Sequence, residues 1–164
     1  MHDFNPTFTK TSSISECADL INRPHVDDYP LRVNATGDAL SYYIEHGTNY
    51  ITEDVCKAIH SHIMWDMDVR NRGLWRRDEA FLQKSNGELI LLTAPIMIRG
   101  EIEDSRLFPF RFNDIVDESD IIRWYRTFEI IHPFMDGNGR VGGVIAAVAS
   151  YNFFNDGSML APCQ

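Results

Sequence analysis

The chain has 164 residues, of which 44% are apolar, 24% charged and 12% aromatic, ordinary globular proportions that exclude collagen-like, low-complexity and broadly disordered readings. At this length one core is expected, because a chain of about 150 residues buries roughly two thirds of the surface it exposes when unfolded. Fifteen Lys plus Arg against 24 Asp plus Glu leave a net charge of −9, which repels a phosphate backbone and argues against a nucleic-acid partner.

Cys17, Cys56 and Cys163 are odd in number and widely spaced. They make neither a disulfide framework nor a CxxC metal hook, so a reducing, cytoplasmic setting is expected, with delivery into another cell left open. The sequence opens without a basic stretch leading into an apolar run, and no window approaches about 18 uninterrupted apolar residues. Neither a signal peptide nor a membrane span or partner is expected. Asn34-Ala35-Thr36 matches the glycosylation pattern, which arises often by chance and carries no weight here.

Residues 1–12 are polar and read as frayed. Ser13, with Glu16 three residues on, caps a short helix to about Asn22. Arg23 to Val33, with Pro24, Pro30 and the Asp27-Asp28 pair, reads as a loop, so residues 1–33 are taken as an N-terminal extension to a compact unit over 34–164. From Gly37 to His46 the residues Leu40, Tyr43 and Ile44 share a helical face. Thr52 caps a clearer helix to about Trp65, with Val55, Ile59 and Ile63 as its stripe.

Between Phe81 and Arg99, Ser85-Asn86-Gly87 is a turn signal between short apolar runs, 89–92 and 96–98, that predict a small β-hairpin or flap. Residues 100–116 read as irregular. Asp117 to Ile131 carry Ile121, Tyr125, Phe128 and Ile131 at helical spacing, ended by Pro133. Arg140 to about Phe154 form a second stripe, in which Gly142, Gly143, Ala146 and Ala147 permit close helix contact. The fold class is mainly α, a helical core with one β-hairpin.

The chemistry lies between those last two helices, in His132-Pro133-Phe134-Met135-Asp136-Gly137-Asn138-Gly139-Arg140. Gly137 and Gly139 permit φ > 0, so successive N–H groups can converge on an anion where the next helix begins, at the positive end of its dipole. Asn138 can donate through its amide, and Arg140 can grip phosphate oxygens with two parallel bonds. Asp136 offers a hard carboxylate oxygen suited to Mg²⁺. His132, with an ordinary pKa of about 6.5, suits proton removal from a hydroxyl. Calcium binding in an EF-hand is excluded, since Arg140, Val141 and Ala147 would stand where ligands and a turn glycine are required. Cys56 and His60, spaced for two metal ligands on one helix face, have no partners to complete a zinc shell.

HPFMDGNGR resembles the motif of Fic-domain proteins, HPFx[D/E]GN[G/K]R, at every fixed position, and Phe128-Glu129-Ile130-Ile131 is similar to the helix leading into it. Gly73-Leu74-Trp75-Arg76 loosely resembles the approach to that family's target-docking flap, so the likeness extends over residues 38–154. The resemblance implies transfer of AMP from ATP, with Mg²⁺, to a Ser, Thr or Tyr hydroxyl of a target protein. His132 would be the base and Asp136 the metal ligand. Gly137, Asn138 and Gly139 would form the anion hole, Arg140 would bind phosphates, and Phe134 would be the buried anchor. A homodimer stays open.

Two departures qualify what the resemblance implies. Many adenylylating members carry a second Arg three residues after the first; here that position is Gly143, and Arg76, Arg77 or Arg99 would have to replace its charge. Ser41 to His46 nearly matches the family's inhibitory pattern, which makes Glu45 a candidate inhibitory residue. Donors delivering UMP, phosphate or phosphocholine, and a non-catalytic nucleotide- or partner-binding module, are the alternatives.

Overall fold

A computed structural model describes residues 6–84 and 86–163. Its centre is α6, Asn138–Phe154, which buries Asn138 and every residue from Arg140 to Ser150. A helix apolar on all sides must be covered on all sides. The cover consists of α1 (Ile14–Asn22), α2 (Tyr29–Glu45), α3 (Glu53–Ile63) and α5 (Glu118–Ile131), together with the strand β6 (Met159–Cys163). Small residues set the spacing. A Cβ on Gly142 would lie 2.9 Å from the Phe128 ring, and one on Gly143 3.1 Å from Ile21, so α5 and α1 reach the α6 backbone where a side chain would hold them off.

Local chemistry fixes the helix ends. Ser13 Oγ accepts from the Glu16 N–H, and Thr52 Oγ1 accepts from the Val55 N–H. At α5 the capping box is reciprocal, Asp117 with Asp120. The expected hairpin forms from β3 (Phe81–Gln83) and β4 (Leu89–Leu91); of its turn signal, Ser85 lies outside the described residues. Two further antiparallel pairs occur, β2 (Tyr50–Ile51) with β5 (Phe110–Arg111), and β1 (Thr7–Thr11) with β6. Among the described residues no helix is long and apolar enough to cross a membrane.

Five sequence expectations require correction. Residues 7–11 are not frayed but form β1, in register with residues 163 to 159; residues 1–5 lie outside the described set. Arg23 to Val33 is not all loop, because α2 begins at Tyr29 with Pro30 in its first turn, where a missing N–H costs nothing. Gly37 is interior to α2 rather than its start. The run 96–98 is not strand: residues 95–97 form a 3₁₀ turn leading into α4 (Ile98–Asp104), so residues 100–116 hold α4, β5 and a second 3₁₀ turn rather than irregular chain. The segment read as an extension supplies β1, α1 and the start of α2, and places Cys17, Leu20 and Ile21 in the shared core. The glycosylation triplet lies inside α2, with Thr36 fully buried.

Candidate active site

α5 ends because His132 turns left-handed, at φ 52° and ψ 61°, a conformation that costs a non-glycine residue about 1–2 kcal/mol. The turn is held from several sides. The His132 N–H donates to the Phe128 carbonyl at 2.8 Å. The Arg76 Nε donates to the His132 carbonyl at 2.6 Å, and the Arg76 backbone N–H donates to the Pro133 carbonyl at 2.7 Å. Phe134 is fully buried, its ring stacked on His60 with centroids 3.9 Å apart.

Asn138 closes the loop on itself. Its Oδ1 accepts from the Phe134 N–H and its Nδ2 donates to the Phe134 carbonyl, both at 2.9 Å. The amide is therefore spent on the backbone, not offered to a ligand. His60 acts from α3: Nδ1 accepts from the Gly73 N–H, which leaves Nε2–H to donate to the Asp136 carbonyl at 2.9 Å. Burial pushes the His60 pKa down to about 4, against the opposing pull of that carbonyl. The neutral tautomer required by the two bonds is the form that burial favours.

The two motif glycines differ. Gly137 has φ +84°, and a Cβ there would sit 2.9 Å from Met64. Gly139 is an ordinary residue of the first turn of α6, contrary to the expectation that it supplies a positive φ; its Cβ position is in normal contact with His25, Tyr125 and Glu129. The first internal bond of α6 runs from the Val141 N–H to the Gly137 carbonyl, and Gly137 has no side chain to cap the helix. The N–H groups of Asn138, Gly139 and Arg140 thus form an open N-terminus on a 17-residue helix, an arrangement that favours anions.

Asp136 stands at this end. Its Oδ1 accepts from the Gly137 N–H at 2.8 Å and from Arg140 Nη2 at 3.2 Å, while its side chain is 63% exposed. The remaining carboxylate oxygen suits one Mg²⁺ position, the others being left to phosphate and water. Among the described residues no group of three or more His, Cys, Asp or Glu could hold a metal without such help.

His132 is half-buried, and its Nδ1 is enclosed without a hydrogen bond of normal geometry, which leaves Nε2 as the accessible nitrogen. Burial drives its pKa down to about 4, with the Arg76 charge acting the same way and the Glu129 backbone and Asp136 acting against it. The ring is neutral at neutral pH. Five surface cavities among the described residues, up to 390 Å³ in volume, are lined by residues outside 132–140.

Arg140 departs from the expectation of a free phosphate grip. Only 1% exposed, it places Nη1 on Asp28 Oδ1 at 2.6 Å and Nη2 on Asp136. Asp28 holds Arg32 through its other oxygen at 3.2 Å, and Arg32 reaches Asp66 at 2.7 Å. Burial by itself raises the Asp28 pKa, but bonds and charge from Arg140 and Arg32 outweigh it and keep the carboxyl below its ordinary value.

The carboxylate that α2 brings to the loop is therefore Asp28, at its N-terminal end. Glu45 is exposed at the other end of α2, where Tyr43, Ile44 and Gly47 share a cleft with Tyr151, Asn152 and Asn155 near the C-terminus of α6. Gly143 faces Ile21 of α1. Of the candidate replacement cations, Arg76 is committed to carbonyls, Arg77 is exposed with a bond to the Arg70 carbonyl, and Arg99 is paired with Glu53 at the far end of α3 from His60.

Sequence reasoning missed His25 and gave Asp28, His60 and Arg76 other parts, as a loop acid, half of a metal pair and a candidate phosphate cation. His25 is half-buried, with its Nε2 3.6 Å from the Gly139 Cβ position, and its pKa is lowered by burial and by Arg140.

The sequence model of the Fic/DOC family matches residues 50–149. Three solved structures share the fold. A Fic domain containing signaling protein from Bacteroides thetaiotaomicron superposes with TM-score 0.62 at 15% identity, over 84% of this chain and 56% of that one. A Fic family protein from Desulfovibrio desulfuricans gives 0.63 at 17%, over 87% and 48%. Fic-1 from C. elegans gives 0.57 at 16%, over 88% and 44%. The chain thus spans about half the length of these structures. No curated protein matches it by sequence.

Proposed function

The chain belongs to the Fic/DOC family, and on that premise we propose that it is a protein adenylyltransferase, moving AMP from ATP to a Ser, Thr or Tyr hydroxyl of a target protein. The observation that carries this reading is the single loop 132–140. It sets the accessible Nε2 of a neutral imidazole, an exposed carboxylate and the open N-terminus of α6 side by side.

In this mechanism Nε2 of His132 accepts the hydroxyl proton as the oxygen bonds to the α-phosphorus, and the bond to the bridging oxygen breaks so that pyrophosphate leaves. The low pKa keeps the imidazole in its base form, and polyphosphate charge arriving beside it raises its basicity. The N–H groups of residues 138–140 face the phosphate oxygens and stabilise the charge that builds there. Asp136 would hold Mg²⁺, which supplies charge neutralisation to neighbouring phosphates. Arg140 orients Asp136 and lends positive charge to the loop; direct contact with phosphate requires Asp28 to release it.

Ile21 fills the space at Gly143, and neither Arg76 nor Arg99 is free to take over the terminal phosphate. This favours, as a second reading, transfer of UMP, phosphate or phosphocholine by the same His132 and Asp136. The test incubates the protein with Mg²⁺, a cell lysate and labelled donors of each kind, beside His132→Ala and Asp136→Asn. Labelling of a lysate protein that both substitutions abolish supports a transferase, and the donor that labels identifies the group. Tight donor binding with no labelling from any donor refutes transfer and leaves a binding module.

A further inference from the structure

Arg76 is 2% exposed, yet no carboxylate among the described residues meets its guanidinium. Burying such a charge is costly unless its donors are satisfied. They are satisfied by carbonyls alone: Nε on His132 at 2.6 Å, Nη1 on Asp78 at 2.9 Å, and Nη2 on both Thr93 and Ile131, the latter at 3.2 Å.

Those acceptors belong to two parts of the molecule. Asp78, three residues before β3, and Thr93, two residues after β4, are the feet of the hairpin, whose base is closed by the Leu92 N–H to the Ala80 carbonyl at 3.0 Å. Ile131 and His132 form the turn that carries the imidazole. The arginine fork presents five N–H donors in one plane, and here it spans both feet and the turn at once. An ammonium, a single point of charge, cannot reach four carbonyls on three segments.

Phe81, Leu89 and Leu91 are 54%, 60% and 52% exposed, so one face of the hairpin is free, while Leu82 on the other face packs against the core and Leu92 at the base is buried; the feet and this single apolar contact set its position. His132 in turn keeps a left-handed backbone that only surrounding bonds can impose.

We propose that Arg76 is a positioning residue for the transfer reaction, locking the backbone of His132 to both feet of the hairpin so that the imidazole and the hairpin edge move as one unit. The proposal rests on the transferase reading for its effect on rate, but the mechanical coupling stands on its own and is measured separately.

Hydrogen exchange is compared in the wild type, Arg76→Ala and Arg76→Lys. The expected result is faster exchange at Leu92 in the hairpin base and at Phe134 in the loop together, with the amides of 144–148 in α6 unchanged. In transfer assays both variants lose roughly a hundredfold in kcat with the dissociation constant for nucleotide unchanged. Guanidinium ion restores Arg76→Ala several-fold, whereas the same concentration of sodium does not.

Exchange that rises in the hairpin alone overturns the coupling, and an Arg76→Lys enzyme with wild-type kcat overturns the positioning role. Should Arg76→Ala not fold, Arg76→Lys carries both measurements. A wild type that transfers nothing refutes the transferase reading, and the exchange result still decides the coupling.

Discussion

Replacing Asp28 by Asn removes one carboxylate from a chain of five charges, Asp136, Arg140, Asp28, Arg32 and Asp66, while keeping side-chain size. Exposed ion pairs contribute about 0–1 kcal/mol, and breaking a fully buried one costs about 3–5 kcal/mol. Arg140 at 1% exposure belongs to the buried class, but Asp28 at 25% keeps some water, and Arg140 retains Asp136. The expected loss is therefore about 2–3 kcal/mol, or roughly 4–12 °C in Tm for a chain of this size. The pH dependence has a definite sign. A carboxyl whose folded pKa is depressed contributes stability in full above its unfolded value of about 3.9 and loses it as pH falls through the lower folded value. Thermal unfolding followed by circular dichroism at about pH 7, 5 and 3 should show a gap between wild type and Asp28→Asn that is wide at the first two and narrows at the third. A variant whose Tm matches the wild type at neutral pH would refute the buried network.

The two loop glycines should respond oppositely. Gly137→Ala must strain a +84° φ and push Met64 aside, costing about 2–3 kcal/mol in a denaturant titration, whereas Gly139→Ala should stay within about 1 kcal/mol of wild type; equal losses would contradict the separate roles. Gly143→Arg should not install a phosphate contact: with Ile21 carbons 3.1 Å from its Cβ, overpacking should cost about 3 kcal/mol or more, and a variant of wild-type stability would show that α1 yields easily. The low pKa values of His132 and His60, about 4 each, mean that the unfolded chain binds protons that the folded chain refuses between about pH 6.5 and 4. Stability should therefore fall through that window on acidification, the histidine contribution ending near pH 4 where loss of the carboxylate pairs takes over; a profile flat between about pH 6.5 and 4 would place both rings in the open.

Most of the helical frame is legible because its signals are local. Thr52 and Asp117 cap where a polar oxygen can reach the N–H groups of the first turn, and the small residues of α6 announce a helix meant for close contact. What escapes is set by distance along the chain. β1 is unremarkable until its partner, some 150 residues away, supplies the ladder. The prolines that suggested a loop over 23–33 conceal a helix start in which one of them is at home.

The site divides the same way. Every loop residue from His132 to Arg140 is visible in the motif, but the groups that hold the loop are not. Arg140 meets Asp28 across 112 positions, His60 meets Asp136 across 76, and Arg76 meets His132 across 56. Asp28 looked like one half of a loop acid pair, and His60 like half of a metal pair, because residue type reveals capacity while only packing assigns the partner. Glu45, made a candidate inhibitory residue by a local pattern, is exposed at the end of α2 opposite Asp28.

The most direct test of the account is the fate of phosphorus at the loop. Purified protein is incubated with Mg²⁺, a lysate and ATP labelled at either the α or the γ phosphate. The account predicts that only the α label becomes attached to protein, and that His132→Ala eliminates it while still binding nucleotide. Attachment of the γ label would reassign the transferred group, and undiminished α labelling in His132→Ala would contradict the role given to the imidazole.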